Sequence, residues 1–231
     1  MATLLDRLIS FCSHPRQSLE FRARRFALPY LAKWHRYRLS RKMDLGFLAQ
    51  RPKHGFAPDF SDFWFLYQSV RRKRPRVILE FGSGSSTVVL AKALYDNSLE
   101  HPGEKGYLHS IDDQRYWADV TKSIIPPYLD EFCEVHHIPT VEIEHEGFPC
   151  YRHSRLPDVV PDMIYLDGPS FTKQRKIAVD ILDMEHKLPP DILLIIDGRV
   201  QNTAFLEKFL TRPFRFRHRS WYKNTVVTLA S

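Results

Sequence analysis

The sequence predicts an α/β protein: a doubly wound, seven-stranded, mostly parallel sheet with an antiparallel last strand and a helical N-terminal extension. Three observations predict it. From residue 76 onward, short runs rich in Val, Ile and Leu alternate with longer segments of helical periodicity. The runs 162–167 and 192–197 are apolar almost throughout, as central strands covered on both faces must be. The last two runs, 214–219 and 223–229, are too close together for a crossover helix, so they must pair as an antiparallel hairpin.

Residues 1–58 make up the extension and 59–231 the sheet domain. The net charge of +7 is concentrated in the extension: residues 1–53 hold twelve Lys/Arg against Asp6, Glu20 and Asp44, a local +9, and the remainder carries −2. Within it, Phe21-Arg22-Ala23-Arg24-Arg25-Phe26 and Lys33-Trp34-His35-Arg36-Tyr37-Arg38 interleave arginine with aromatics. That pattern suits an anionic membrane surface, a nucleic-acid backbone or an acidic substrate; it equally describes a solvated helical face whose aromatics pack on the main domain. Pro29, Pro52 and Pro58 punctuate the segment.

The first clearly marked helix follows. Asp59 can cap it, Asp62 occupies the capping-box position, and Phe63, Trp64, Leu66, Tyr67 and Val70 form an apolar stripe. Arg71-Arg72-Lys73-Arg74 then complement the helix dipole before Pro75 stops it, so this basic run has a structural explanation. Strand 76–81, a helix near 85–96, strand 107–111, a helix near 114–124 and strand 132–138 come next. Residues 140–157 read as an extra hairpin or loop. Strand 162–167, a helix over 171–187, strand 192–197 and a helix over 200–211 lead to the terminal hairpin.

With 43% hydrophobic and 26% charged residues the chain can bury a full core, which excludes global disorder. Three scattered cysteines, Cys12, Cys133 and Cys150, support neither a disulfide framework nor a paired-cysteine metal site. No apolar run reaches the length of a membrane span, and the expected location is the cytoplasm, with peripheral attachment at the inner membrane surface as an option.

Ligands of open α/β sheets bind beyond the carboxyl ends of the strands, so the residues ending each strand are the candidates. The first strand runs into Glu80-Phe81-Gly82-Ser83-Gly84-Ser85-Ser86-Thr87, a small-residue turn that opens a helix. Gly82 and Gly84 let a ligand approach the backbone. Dinucleotide-binding turns have small apolar residues before the first glycine; a carboxylate at Glu80 can instead bind the amino-acid end of S-adenosylmethionine or its ordered waters. Acids end the other strands too: Asp112 with Asp113 behind it, Asp167 and Asp197.

The sheet pattern resembles that of class I S-adenosylmethionine-dependent methyltransferases, over residues 76–231, and the motifs E-x-G-x-G-x-S-T and D-G-P resemble those of a group of small bacterial members. The resemblance implies a cofactor site formed by Glu80, Gly82, Ser83, Gly84, Ser86, Thr87, Asp112, Asp113 and Asp167, with Asp112 accepting hydrogen bonds from the ribose hydroxyls. Trp117, one helical turn on, could flank the cofactor or pack in the core. Asp167 and Asp197 are the catalytic candidates. As in cation-dependent O-methyltransferases they could hold Mg2+, although Gly198 stands where those enzymes offer Asn or Asp; otherwise Asp167 is a general base or substrate anchor. Asp167-Gly168-Pro169-Ser170 replaces the motif of nucleobase N-methylases, which points to a hydroxyl on a glycan-like or small polyhydroxylated acceptor. His136, His137, His145 and His153 share no ligand spacing, though 145 or 153 could serve as a base if the 140–157 segment folds over the site. The alternatives are an RNA methyltransferase holding phosphates with residues 1–53, and an inactive methyltransferase-like scaffold at a membrane; the extension could also serve as a lid or a homodimer element.

Overall fold

In a computed structural model, residues 15–54, 57–169, 177–219 and 222–230 are described, with side chains from Phe26 onward. Helix α1 (Pro15–Ser40) leads through a short 3-10 turn, Gly46–Gln50, to α2 (Phe60–Lys73). The alternating core follows as β1 (Val77–Phe81), α3 (Ser85–Glu100), β2 (Tyr107–Asp112), α4 (Arg115–Ile124) and β3 (Cys133–His137). A hairpin of β4 (Thr140–His145) and β5 (Phe148–His153) interrupts it. Then come β6 (Met163–Leu166), α5 (Asp180–Met184), β7 (Leu193–Asp197), α6 (Val200–Phe209), β8 (Phe214–Arg219) and β9 (Asn224–Leu229).

Seven strands form one sheet in the order β3-β2-β1-β6-β7-β9-β8. β1, β2, β3, β6 and β7 are parallel, whereas β9 runs antiparallel to both β7 and β8, as the short connection at the end of the chain dictates. The order reverses beside β1, so the carboxyl ends of β1 and β6 flank the topological switch point. Each sheet face has its own core. Ile78, Val88, Leu90, Leu94 and Leu108 pack with Phe63, Trp64, Leu66 and Tyr67 of α2 on one side. Leu79, Phe81, Ile164, Leu166, Ile181, Ile196 and Leu206 pack on the other. Leu39, Met43 and Phe47 belong to the first cluster, so hydrophobic contact continues from the extension into the sheet domain.

Local chemistry accounts for the elements. Asp59 caps α2 by accepting from the Ser61 and Asp62 amides at 2.9 and 3.3 Å. Arg74 adopts the left-handed conformation that ends the helix, at φ 50°. The basic run is spent on neighbours: Arg71 pairs with Glu100, Lys73 with Asp191 and Arg74 with Glu104. Residues 140–153 resolve to a hairpin because Glu146 and Gly147 both take positive φ, 50° and 78°, as a two-residue primed turn requires. Its β5 strand bridges at Tyr151 to Ala178.

Two expectations change. Pro29 does not interrupt the extension: α1 runs through it, and Pro29 faces solvent, where water can take the carbonyl left without an N–H partner. The helix expected over 171–187 lies outside the described residues as far as 176; beyond them it is α-helical only over Asp180–Met184, continuing as a 3-10 turn over Glu185–Lys187. No helix among the described residues is long and apolar enough to cross a membrane.

Candidate active site at the strand ends

Two glycine-bearing turns meet at the switch point. Gly82, at φ 91°, donates its amide to Ile111 O at 2.7 Å, and Phe81 O accepts from the amides of Asp167 and Gly168 at 2.9 and 2.5 Å. A Cβ on Gly82 would lie 2.7 Å from Gly168 N, so the first glycine is required by the backbone that crosses it. Gly84 differs: nothing lies within 4 Å of where its Cβ would be. The open side of the turn, available to a ligand, is therefore at Gly84. Ser85 Oγ, at the first residue of α3, is buried there without a hydrogen-bond partner.

Glu80 is fully buried, and both carboxylate oxygens are taken. Ser86 Oγ donates to Oε1 at 2.6 Å; Thr87 Oγ1 and Ser110 Oγ donate to Oε2, each at 2.6 Å. Burial drives its pKa up to about 7, against the downward pull of those three hydroxyls. Thr87 Oγ1 also accepts from Gly84 N at 3.0 Å, so Glu80 fixes the first turn of α3 and, through Thr87, the backbone at Gly84.

Asp112 joins the second strand to the same turn. Its Oδ2 accepts from Ser83 N and Oγ at 3.0 and 2.9 Å, and its Oδ1 from Gln114 N at 2.9 Å. Burial pushes its pKa up and these bonds oppose the shift. Asp113 is half-buried next to it and contributes to the negative field at Arg199. Trp117 packs against His54, ring centroids 5.6 Å apart, and Tyr116, 5.0 Å.

Asp167 and Asp197 stand at the ends of β6 and β7, as their neighbouring positions predict. Asp197 Oδ2 accepts from Tyr165 OH at 3.2 Å. Asp167 reaches solvent, although dense protein surrounds it; that crowding and the charge of Asp197 both push its pKa upward. Asp197 is shifted the same way, chiefly by burial.

Three further side chains belong to this group. Asp62 takes no capping-box role among the hydrogen bonds of its own turn; Asn224 Nδ2 donates to its Oδ1 at 3.1 Å across the terminal hairpin. Burial, then the charges of Asp197 and Asp59, raise the Asp62 pKa to about 8. Arg199 is buried on the other side and donates to Asp167 O and Pro169 O at 2.9 and 3.0 Å, clamping the second turn. Tyr165, buried between the acids, has its phenol pKa raised well above the ordinary range. In the sequence Asp62 has the place of a local cap; only the fold brings Asn224 to it.

Burial and repulsion from neighbouring acids raise the pKa of each of these carboxyl groups, and a raised pKa makes the ionised form a stronger base toward a hydroxyl proton. Among the described residues, three ligand atoms converge within 4.8 Å only at His109, Glu134 and His136, on the β2–β3 edge. Asp62, Asp167 and Asp197 do not form such a set. Of the two histidines on the hairpin, His145 packs against Phe205 and Phe209, and His153 Nδ1 pairs with buried Asp180 at 3.0 Å.

No family model and no curated protein sequence matches the chain. Solved structures do resemble it. The O-methyltransferase TomG from Streptomyces achromogenes, in complex with SAM, aligns with a TM-score of 0.55 at 16% identity, over 88% of this chain and 99% of that one. The SAH-bound methyltransferase PaMTH1 of Podospora anserina gives 0.53 at 12% identity, over 89% and 88%. An O-methyltransferase from Bacillus cereus in complex with SAH gives 0.50 at 20% identity, over 80% and 86%. The chain has the Rossmann-like methyltransferase fold.

Proposed function

We propose that the protein is an S-adenosylmethionine-dependent methyltransferase that methylates a hydroxyl of a glycan-like or small polyhydroxylated acceptor. The observation that carries this reading is the open cradle at Gly84, which lies between the start of α3 and Asp112 at the switch point of this fold. The residues fit the cofactor: an unpartnered buried hydroxyl at Ser85, free space at Gly84, and a carboxylate at Asp112 with two acceptor oxygens.

Bound there, S-adenosylmethionine supplies an electrophilic methyl group. The chain's own residues do the rest. The first amides of α3 favour the carboxylate of an amino acid, since a helix N-terminus is an anion site. Glu80 acts one layer deeper, holding Ser86 and Thr87 so that the turn keeps its shape. Asp112 keeps its bond from Ser83 N and exchanges that from Ser83 Oγ for a ribose hydroxyl, and Ser83 Oγ then turns to Thr121 Oγ1, already 3.1 Å away. Asp167, supported by the field of Asp62 and Asp197, takes the acceptor's proton. Hydroxyl-rich acceptors suit this end of the sheet because three carboxyl groups offer acceptors for their donors.

The test is transfer of labelled methyl from S-adenosylmethionine to a panel of sugars and polyphenols by wild-type and Asp167→Asn protein. Labelled methyl ethers formed by the wild type and reduced about a hundredfold or more in the variant are expected, the typical contribution of a general base. Label appearing on amines or thiols instead would overturn the hydroxyl assignment.

A further inference from the structure

Helix α1 has two apolar faces, and only one of them is used by the fold. On the inner face Leu39 is fully buried, His35 Nδ1 lies 3.1 Å from Ser61 Oγ, and the guanidinium of Arg38 sits 4.3 Å from the Trp64 ring centroid. On the outer face Phe26, Tyr30, Trp34 and Tyr37 are 74%, 73%, 54% and 56% exposed. Their spacing of four, four and three residues places them in one stripe along the helix. Such a contiguous aromatic surface is costly to leave in water, and it marks a contact site.

The charge on this stretch is one-sided. Between residues 26 and 43 there are five cations, Lys33, Arg36, Arg38, Arg41 and Lys42, and no acid. Helical phase puts Lys33 and Arg41 on the aromatic stripe itself, and both are exposed. Lys33, Arg36 and Tyr37 also line a shallow cavity of about 450 Å³ with Ser40, Met43, Asp44 and Leu45. Asp44, the acid at its rim, accepts from the Gly46 amide at 2.9 Å.

We infer that this face of α1 docks the protein on an anionic lipid bilayer. The rings of Phe26, Tyr30, Trp34 and Tyr37 enter the boundary between headgroups and acyl chains, and Lys33 and Arg41 meet lipid phosphates. Tyrosine and tryptophan suit that boundary because each joins an apolar ring to a polar tip. Cations within a Debye length of an anionic leaflet add attraction that salt weakens. The occupant follows from charge and side-chain chemistry together: cations without acids beside rings that join an apolar body to a polar tip match an anionic lipid surface. The helix lies on the surface and does not span, in keeping with its lack of a long apolar window. This inference goes beyond the methyltransferase reading and does not depend on it.

The test uses the full-length protein with vesicles of phosphatidylglycerol and phosphatidylcholine, against phosphatidylcholine alone. Co-sedimentation with the anionic vesicles, weakened by salt, is expected, together with a blue shift of tryptophan fluorescence that Trp34→Phe removes. The combined variant Phe26→Ser, Tyr30→Ser, Trp34→Ser and Tyr37→Ser should lose about tenfold or more in vesicle affinity while its circular dichroism is unchanged. A second variant, Lys33→Glu with Arg41→Glu, should lose anionic selectivity with the aromatics intact. The inference is overturned if the wild type fails to sediment with anionic vesicles at low salt, or if the aromatic variant sediments equally. It is also overturned if the stripe instead holds a dimer that the same substitutions dissociate without lipid, or if RNA binds and vesicles do not. Unchanged SAH affinity in the aromatic variant keeps this outcome separate from that of the active-site proposal.

Discussion

Replacing Glu80 with Gln should flatten the dependence of stability on pH. The Glu80 carboxyl group is fully buried and its pKa is raised by burial from 4.5 to about 7. A raised folded-state value means that the native protein holds the proton more tightly than the unfolded chain. The resulting stabilisation is complete below pH 4.5 and is lost as pH rises through about 7. At 1.36 kcal/mol per pKa unit, that rise amounts to about 3 kcal/mol. Glu80→Gln cannot titrate. Its amide must also face hydroxyls of Ser86, Thr87 or Ser110 that now donate, and a mispaired buried group costs about 1–3 kcal/mol. Urea unfolding at pH 5 and pH 8 measures both effects. The variant should be less stable than wild type at pH 5, and the gap should shrink or reverse at pH 8. Parallel stability profiles for the two proteins would refute the account of a buried, hydroxyl-held glutamate whose pKa is raised beneath the turn.

Three other outcomes follow from the same geometry. Gly82→Ala combines a positive φ with a Cβ placed 2.7 Å from Gly168 N, and should cost more than about 2 kcal/mol in urea unfolding. The Cβ of Gly84→Val meets no atom within 4 Å, and the variant should keep its melting temperature within a few degrees of wild type, as calorimetric scans would show. Arg199→Met removes two hydrogen bonds from a buried cation to the carbonyls of Asp167 and Pro169, and should destabilise by about 2–4 kcal/mol in denaturant titrations, with increased proteolysis near the Asp167–Pro169 turn.

The sheet was legible because its central strands are covered on both faces. Ile192 to Ile196 and Met163 to Leu166 have no polar alternation to confuse with a surface strand, and the short connection after Arg219 forces the antiparallel end. The 140–157 segment is less distinct because its strands form a two-stranded sheet outside the main one, with β4 largely exposed, so the sequence carries a weak alternation. Pro29 reads as a breaker because sequence does not reveal which side of a helix faces water. The acids at the strand ends were visible one by one. Their partners were not: Asp62 and Asn224 are separated by most of the chain, and Arg199 carries no motif of its own. Glu80 shows how a local signal can point past its own neighbours. Ser86 and Thr87, read as ligand contacts, lie six and seven residues on, one strand end and one helical turn away, which is where hydroxyls can reach back to that carboxylate.

Isothermal titration of SAH into wild-type and Gly84→Val protein tests the central claim most directly. The account predicts one molecule bound per wild-type chain, with affinity reduced at least about tenfold in Gly84→Val although that variant remains as stable as wild type, because the added side chain fills the open side of the turn and nothing else. Absence of binding to the wild type, or equal binding by the variant, would contradict it.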